Sequence, residues 1–242
     1  MAMILEDTRQ QEKKHEAKHE YFRKVGVHWN RTALYCGDYT LPADQSVCVD
    51  TKKDIQELIG DIQVHKMSKK EIKAEVYKIS ESNHIAFDEA EKIFHAVCDD
   101  DTSRFAEKEI NELCFLYGIS ERIISEFQKL YVKRYGFFHR GLKRAQNSGI
   151  RLIILAANKE GVSDLEQLSA WENPRMARYS KIRYMHSIGR WKNIKLPRSE
   201  PKSGDWLAKA CRTMQDKYGC EFVFCSEEEQ GKRVLELLGI EV

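Results

Sequence analysis

"VCVDTKKD", Val47–Asp54, decides how this chain is read. It opens as an apolar, β-branched run of the kind that forms a buried strand. It then places a carboxylate, Asp50, and two lysines where burial should continue. Immediately afterwards the period changes: Ile55, Leu58, Ile59 and Ile62 recur at i, i+3, i+4 and i+7, which predicts a helix with one face on the core. A charged pair at the end of a strand, followed by a core-facing helix, is how a sheet delivers reacting groups to a cleft.

Upstream, "GDYTL" is a second short β-prone run, joined to the first through "PADQS". A five-residue connection centred on Asp44 makes a hairpin in which the numbers of paired residues sum to about 88. Leu41 then faces Val47, and Asp38 faces Asp50. Opposed side chains of a hairpin lie about 5 Å apart, and like charges there are unfavourable without compensation. A divalent cation compensates. Oxygen donors with room for water describe a Mg²⁺ or Mn²⁺ site. Lys52, two residues beyond Asp50, projects from the same face by strand alternation. Its ammonium group can stabilise charge on a phosphate or orient a water. Taken singly, each of these three residues suits an exposed ion pair or a turn; the joint spacing favours a metal site.

The rest of the chain fits a mixed α/β protein. "MIL" before Glu6 predicts a first strand, Gln10–Lys24 a charged helix stopping at Gly26, and "IRLIIL" a central strand covered on both faces. "GDWLAKACRTMQDKYG" predicts a helix, "CEFVFC" a strand and "SEEEQGKRVLELLG" a last helix. Residues 63–132 differ in composition: acidic, helix-forming, and opened by the capping-box pair Ser68 and Glu71. Another such pair, Ser163 and Glu166, opens "SDLEQLSAW". Charge is segregated, with acids in excess from Ser80 to Glu126 and bases from Pro174 to Lys202.

Seven cysteines without a C-x-x-C pair suggest neither a disulfide framework nor a zinc ribbon. No run is long and apolar enough for a membrane span, and the first residues lack the pattern of a signal peptide. Partners in a membrane are not expected; an intracellular location is.

"GDYTL…VCVDTKKDIQEL" resembles the G-D-x(n)-E-R-K-x3-D signature of XPF-type nucleases, a branch of the PD-(D/E)-x-K group, and "ILEDTRQQ" resembles their D-T-R-E-Q segment. "HRGLKRAQNSGIRLIIL", "WENPR" and "YGCEFVFCSEEEQGKRVLELL" resemble later parts of phage and prophage members. The resemblance implies a restriction-endonuclease-like mixed sheet flanked by helices, with an all-helical insertion: a nuclease domain in residues 1–62 and 133–242, interrupted by an acidic insert at 63–132. It implies DNA as substrate, a metal held by Asp38, Asp50 and Asp7, and a catalytic set of Asp7, Asp38, Asp50 and Lys52. Gln10 replaces the family's Glu, Thr51 its Arg and Gln56 its final Asp.

The basic stretch, read as a loop over 174–202, interleaves Arg175, Arg178, Lys181, Arg183, Arg190 and Lys192 with Tyr179, Tyr184 and Trp191. Cations neutralise phosphates and aromatic rings stack on bases, so these residues, with Arg9 and Arg140, are the expected nucleic-acid contacts. The acidic insert suits a protein partner or a homodimer contact. Two rivals stand beside the nuclease. One is the same fold with a decayed site, serving as a DNA-binding or partner-recruiting module. The other is a zinc peptidase using "HEAKH", His15–His19, which matches H-E-x-x-H; the helix face expected to be buried there, Ala17, Tyr21 and Val25, would leave the histidines in water.

Overall fold

The computed structural model describes residues 2–10, 16–63, 67–99, 107–134, 136–195 and 199–241. The chain forms two compact units, Met1–Ile59 with Arg151–Val242, and Gly60–Ile150.

The first unit is built on a six-stranded mixed sheet. Its strands are β1 (Met3–Asp7), β2 (His28–Thr32), β3 (Tyr39–Thr40), β4 (Val47–Lys52), β5 (Arg151–Asn158) and β6 (Glu221–Ser226), in the order β2-β1-β3-β4-β5-β6. β3 runs antiparallel to both of its neighbours, β1 and β4, while β2 lies parallel to β1, and β5 and β6 continue parallel from β4. The hairpin register follows the expected sum: Tyr39 pairs with Val49, and Thr40 with Cys48. β5, every residue of which after Arg151 is buried, is the central strand that its continuous apolar run predicts.

On one face, α1 (Glu16–Lys24) and α11 (Gln230–Leu237) pack on Ile4, Tyr39, Val49 and Leu155 through Phe22, Val234 and Leu235. Gly231 sets their approach: a Cβ there would lie 2.9 Å from Tyr21 Cβ and 3.3 Å from Lys18 Cα. The same unit holds α8 (Leu165–Ala170), α9 (Pro174–Ser187) and α10 (Gly204–Tyr218), with α10 packed on α8 and β6. The cap of α8 is Asp164, which accepts from the N–H groups of Glu166 and Gln167, one residue later than the sequence pattern suggests.

The stretch from Pro174 is helical, not a loop. Asn173 accepts from Arg175 N–H as N-cap, Pro174 enters at the first turn, where its missing N–H costs nothing, and no breaker follows before Gly189. Charge density misled the reading; the cap signal was present.

Among the described residues, the second unit is all helical. α2 (Ile55–Ile62) leads into it, and α3 (Lys69–Asn83), α4 (Phe87–Asp99), α5 (Glu107–Tyr117), α6 (Glu121–Arg134) and α7 (Phe137–Asn147) form it. Ser68 and Glu71 make the expected reciprocal cap on α3. Its core joins Ile72, Val76, Ile93, Phe94, Val97, Ile124, Phe127 and Tyr131. The unit extends to Ile150 and so takes in α7, beyond the 132/133 boundary drawn from composition. Among α3 to α7 only α4 and α5 carry acids in excess; α7 is basic. No helix among the described residues is long and apolar enough to cross a membrane.

Candidate active site

Asp7 ends β1, Asp38 immediately precedes β3 and Asp50 lies on β4, three neighbouring segments at one end of the sheet. Asp7 is the last residue of β1 and its N–H donates to Asp38 O (2.9 Å), which fixes the two strands side by side at this level. Asp50 and Lys52 alternate onto one face of β4, and Lys52 Nζ lies 2.8 Å from Asp50 Oδ1. Neither side chain is much exposed, 11% for Lys52 and 19% for Asp50. Their parallel partners on β5 are Ile154 and Ala156, both fully buried, so the pair sits at the margin of the core.

The ladder departs from regularity at Asp38. Its N–H donates to Val49 O (2.8 Å), although Val49 is the partner of Tyr39. Two residues thus oppose one, as in a β-bulge. Gly37, at φ 68°, makes the bend possible, and its Cα is so close to β4 that a Cβ would stand 3.0 Å from Cys48 Cβ. As a result, the Asp38 carboxylate reaches Thr51 rather than facing Asp50 squarely: Oδ2 accepts from both Thr51 N–H and Thr51 Oγ1, each at 2.7 Å. The expected one-to-one opposition of Asp38 and Asp50 is therefore offset by the bulge.

Asp7 is committed to Arg9. The backbone N–H and Nε of Arg9 donate to Oδ1 (2.9 Å each), and Nε and Nη2 also bond Oδ2. The carboxylate holds the guanidinium pKa above its ordinary value, and Arg9 Nη2 is further tied to Leu34 O at 2.9 Å.

The departures from the nuclease signature have structural roles. Gln56 Nε2 donates to Asn173 Oδ1 (2.8 Å), and Asn173 Nδ2 donates to Lys202 O (2.7 Å). The start of α2, just past Lys52, is thereby tied to the start of α9. Asp54 and Glu57 cap α2, Asp54 accepting from Glu57 N–H and Glu57 from Lys53 N–H, both at 2.7 Å. Gln10 Oε1 accepts from the Tyr39 hydroxyl at 3.5 Å. Arg175, Arg178, Lys181 and Arg183 are exposed along α9, and Arg190 and Lys192 in the turn after it. Lys181 Nζ stands 5.6 Å from the Trp191 ring centroid and Arg183 lies over Tyr179 at 5.7 Å. Arg140, on α7 of the second unit, lies over the Phe137 ring at 5.9 Å.

Sequence reasoning missed a buried polar group on the other face of the sheet. Glu6, 1% exposed, has His19 Nε2 at 3.0 Å and the Tyr39 hydroxyl at 3.3 Å from Oε1, and Arg31 Nε at 3.6 Å from Oε2. Burial, with the Glu6 and Asp38 charges, pushes the Tyr39 phenol well above its ordinary pKa and keeps it a donor. His19 is buried, contrary to the exposed histidines expected of "HEAKH". It stacks on Trp29 at 4.4 Å, because α1 turns Lys18, His19 and Phe22 to the sheet, where Glu6 gives the imidazole a partner. His15 lies outside the described residues. The sequence signal for this group was Glu6 itself, which shares a strand face with the core residue Ile4.

A hard divalent cation needs one or two carboxylates, with water and substrate oxygens completing its shell. Asp38 and Asp50 suit it in donor type, both offering carboxylate oxygens with no thiolate or imidazole among them, while the Asp38 carboxylate, held by Thr51 N–H and Oγ1, is drawn toward the face opposite the Asp50–Lys52 pair. Asp7 suits it less, since both of its oxygens serve Arg9. Among the described residues, no group of three His, Cys, Asp or Glu side chains is gathered to hold a metal. The chain matches no protein-family model and no curated protein sequence.

Proposed function

We propose that this protein is a divalent-metal-dependent DNA endonuclease with a restriction-endonuclease-like domain, hydrolysing phosphodiester bonds in the processing, repair or recombination of bacterial or phage DNA. The observation that carries the reading is the placement of Asp50 and Lys52 on one face of β4, 2.8 Å apart, beside a bulged neighbour that presents Asp38. The resemblance of the same residues to the XPF-type signature supports it.

In this reading Asp38 and Asp50 hold Mg²⁺ or Mn²⁺, which supplies Lewis-acid polarisation of the phosphodiester and acidifies water. Lys52 brings a positive charge to the phosphate as negative charge develops on it. A largely buried ammonium group is more effective there than one in bulk water, because solvent screens it less. Arg9 orients Asp7, and Asp7 borders the phosphate without being a required metal ligand. α9 and the turn after it supply the sequence-independent grip: their exposed cations neutralise phosphates, and Tyr184 and Trp191 offer rings to bases. The bond between Gln56 and Asn173 connects this grip to the strand that carries Lys52.

The test is cleavage of plasmid and branched DNA with and without Mg²⁺ or Mn²⁺. Metal-dependent cutting that disappears in Asp50→Ala and Lys52→Ala is expected. Cutting that persists at the wild-type rate in both variants overturns the assignment. Saturable metal and DNA binding without any cutting would favour the binding module.

A further inference from the structure

We propose that Lys18 and Gln230 are positioning residues that set the Asp38 carboxylate and the Lys52 end of β4 from the opposite face of the sheet; this rests on the nuclease reading. Thr51 lies between Asp50 and Lys52, so its side chain alternates to the other face of the strand. There its hydroxyl meets Lys18 Nζ at 3.2 Å. Lys18 Nζ is also 3.2 Å from Gln230 Oε1, and Gln230 Nε2 donates to the backbone carbonyl of Lys52 at 3.0 Å.

The direction of these bonds is settled by chemistry. An ammonium group only donates and a carboxylate only accepts. Lys18 therefore donates to Thr51 Oγ1, which commits its single proton to Asp38 Oδ2 (2.7 Å). The amide of Gln230 accepts from Lys18 through its oxygen and donates to Lys52 through its nitrogen, so the orientation of that side chain is fixed as well. One connected path thus runs from Asp38 through Thr51, Lys18 and Gln230 to the backbone of Lys52, reaching the Asp38 carboxylate and β4 from the face opposite the Asp50 and Lys52 side chains.

Burial makes the arrangement specific. Lys18 and Gln230 are 6% and 7% exposed. A buried ammonium group is costly unless its hydrogen bonds are made, and the two side chains that accept from Lys18, those of Thr51 and Gln230, are neutral. Stability alone would favour an apolar side chain at this point. Gly231 allows the close passage of α11 over α1 that brings the two residues together. Thr51, which departs from the family's arginine at this position, is the link that carries the effect to Asp38.

The experiment uses the full chain with Lys18→Met, Gln230→Leu, Thr51→Val and Thr51→Ser. Two quantities are measured: Mn²⁺ affinity by calorimetry without DNA, and the metal dependence and maximal rate of cleavage. Supporting groups behind metal ligands change affinity or activity by about 10–100-fold. Lys18→Met and Thr51→Val are expected to weaken Mn²⁺ binding and slow saturated cleavage by about tenfold or more. Their combined loss should be smaller than the product of the two, since they break one path. Thr51→Ser, which keeps the hydroxyl, should recover most of the Thr51→Val loss, while DNA affinity without metal stays constant across the set. Melting curves accompany each protein, and Gln230→Leu serves if one of the others fails to fold. Wild-type metal affinity and rate in folded Lys18→Met and Gln230→Leu, with Asp38→Ala inactive, would overturn the positioning role and leave the nuclease reading intact. A wild-type protein that neither binds Mn²⁺ nor cuts DNA would overturn both.

Discussion

Lys52 Nζ lies 2.8 Å from Asp50 Oδ1, two residues back along one strand, with both side chains largely withdrawn from solvent. Removing one member of such a pair exposes the other's charge to the cost of burial, about 3 kcal/mol at the lower end of the range for buried pairs. Asp50→Asn and Lys52→Met should each lower the urea midpoint accordingly, and the double variant should lose less than the sum. If the pair also serves catalysis, cleavage falls in all three while stability recovers in the double variant. A double variant that regained activity along with stability would assign the pair to folding alone.

Gly37 is where the backbone makes room for Asp38. Its φ of 68° disfavours any side chain, and a Cβ would stand 3.0 Å from Cys48 Cβ and 3.2 Å from Val49 O. The left-handed conformation costs a residue with a side chain about 1–2 kcal/mol, and the crowding adds to it. Gly37→Ala should therefore be destabilised by at least about 1 kcal/mol in urea unfolding. Because the strain falls on the bulge that aims Asp38, metal-dependent cleavage should fall further than a stability loss of that size would cause in the folded fraction. Unchanged unfolding would show that the bend is not strained.

The hairpin, its register and the following helix were legible because alternation, a five-residue turn and a switch of period are local signals. The bulge at Asp38 was not. It depends on how closely Gly37 approaches β4, and a register counted from the turn assumes a regular ladder. The polar interior was hidden for a related reason. Lys18 and His19 look like solvent residues in a charged helix, and they become core residues only because Glu6, Thr51 and Gln230, from two strands and the last helix, supply their partners. α9 was read by its charge, although Asn173 and Pro174 announced a helix.

α9 should behave as a phosphate-binding surface. Neutralising one fewer phosphate reduces the slope of log affinity against log salt by about 0.9 on duplex DNA. Arg175→Gln, Arg178→Gln and Lys181→Gln, all exposed and outside the core, should each weaken binding across unrelated sequences and lower the slope by up to that amount. Fluorescence anisotropy from 50 to 200 mM salt, roughly the range over which counterion release is steep, measures it. Equal slopes in wild type and the triple variant would remove α9 from the interface.

Lys18 gives a pH signature that does not depend on DNA. Burial pulls its ammonium below the ordinary value of 10.5, against the opposing pull of the Asp38 and Glu6 charges. At neutral pH both the folded and the unfolded chain hold the proton, and the folded state bears the full cost of burying it. As pH rises through the lowered folded value, the folded chain releases the proton while the unfolded chain keeps it until about 10.5. The unfolded state then binds more protons, so this contribution to stability rises with pH. Lys18→Met carries no such proton. Its melting temperature relative to wild type should thus be highest near neutrality and decline steadily as pH approaches 10.5, whatever constant offset the missing hydrogen bonds to Thr51 and Gln230 impose. Scanning calorimetry at matched ionic strength reads the difference directly. A gap that stays level, or widens in favour of the variant with rising pH, would mean that the Lys18 ammonium is not penalised by burial.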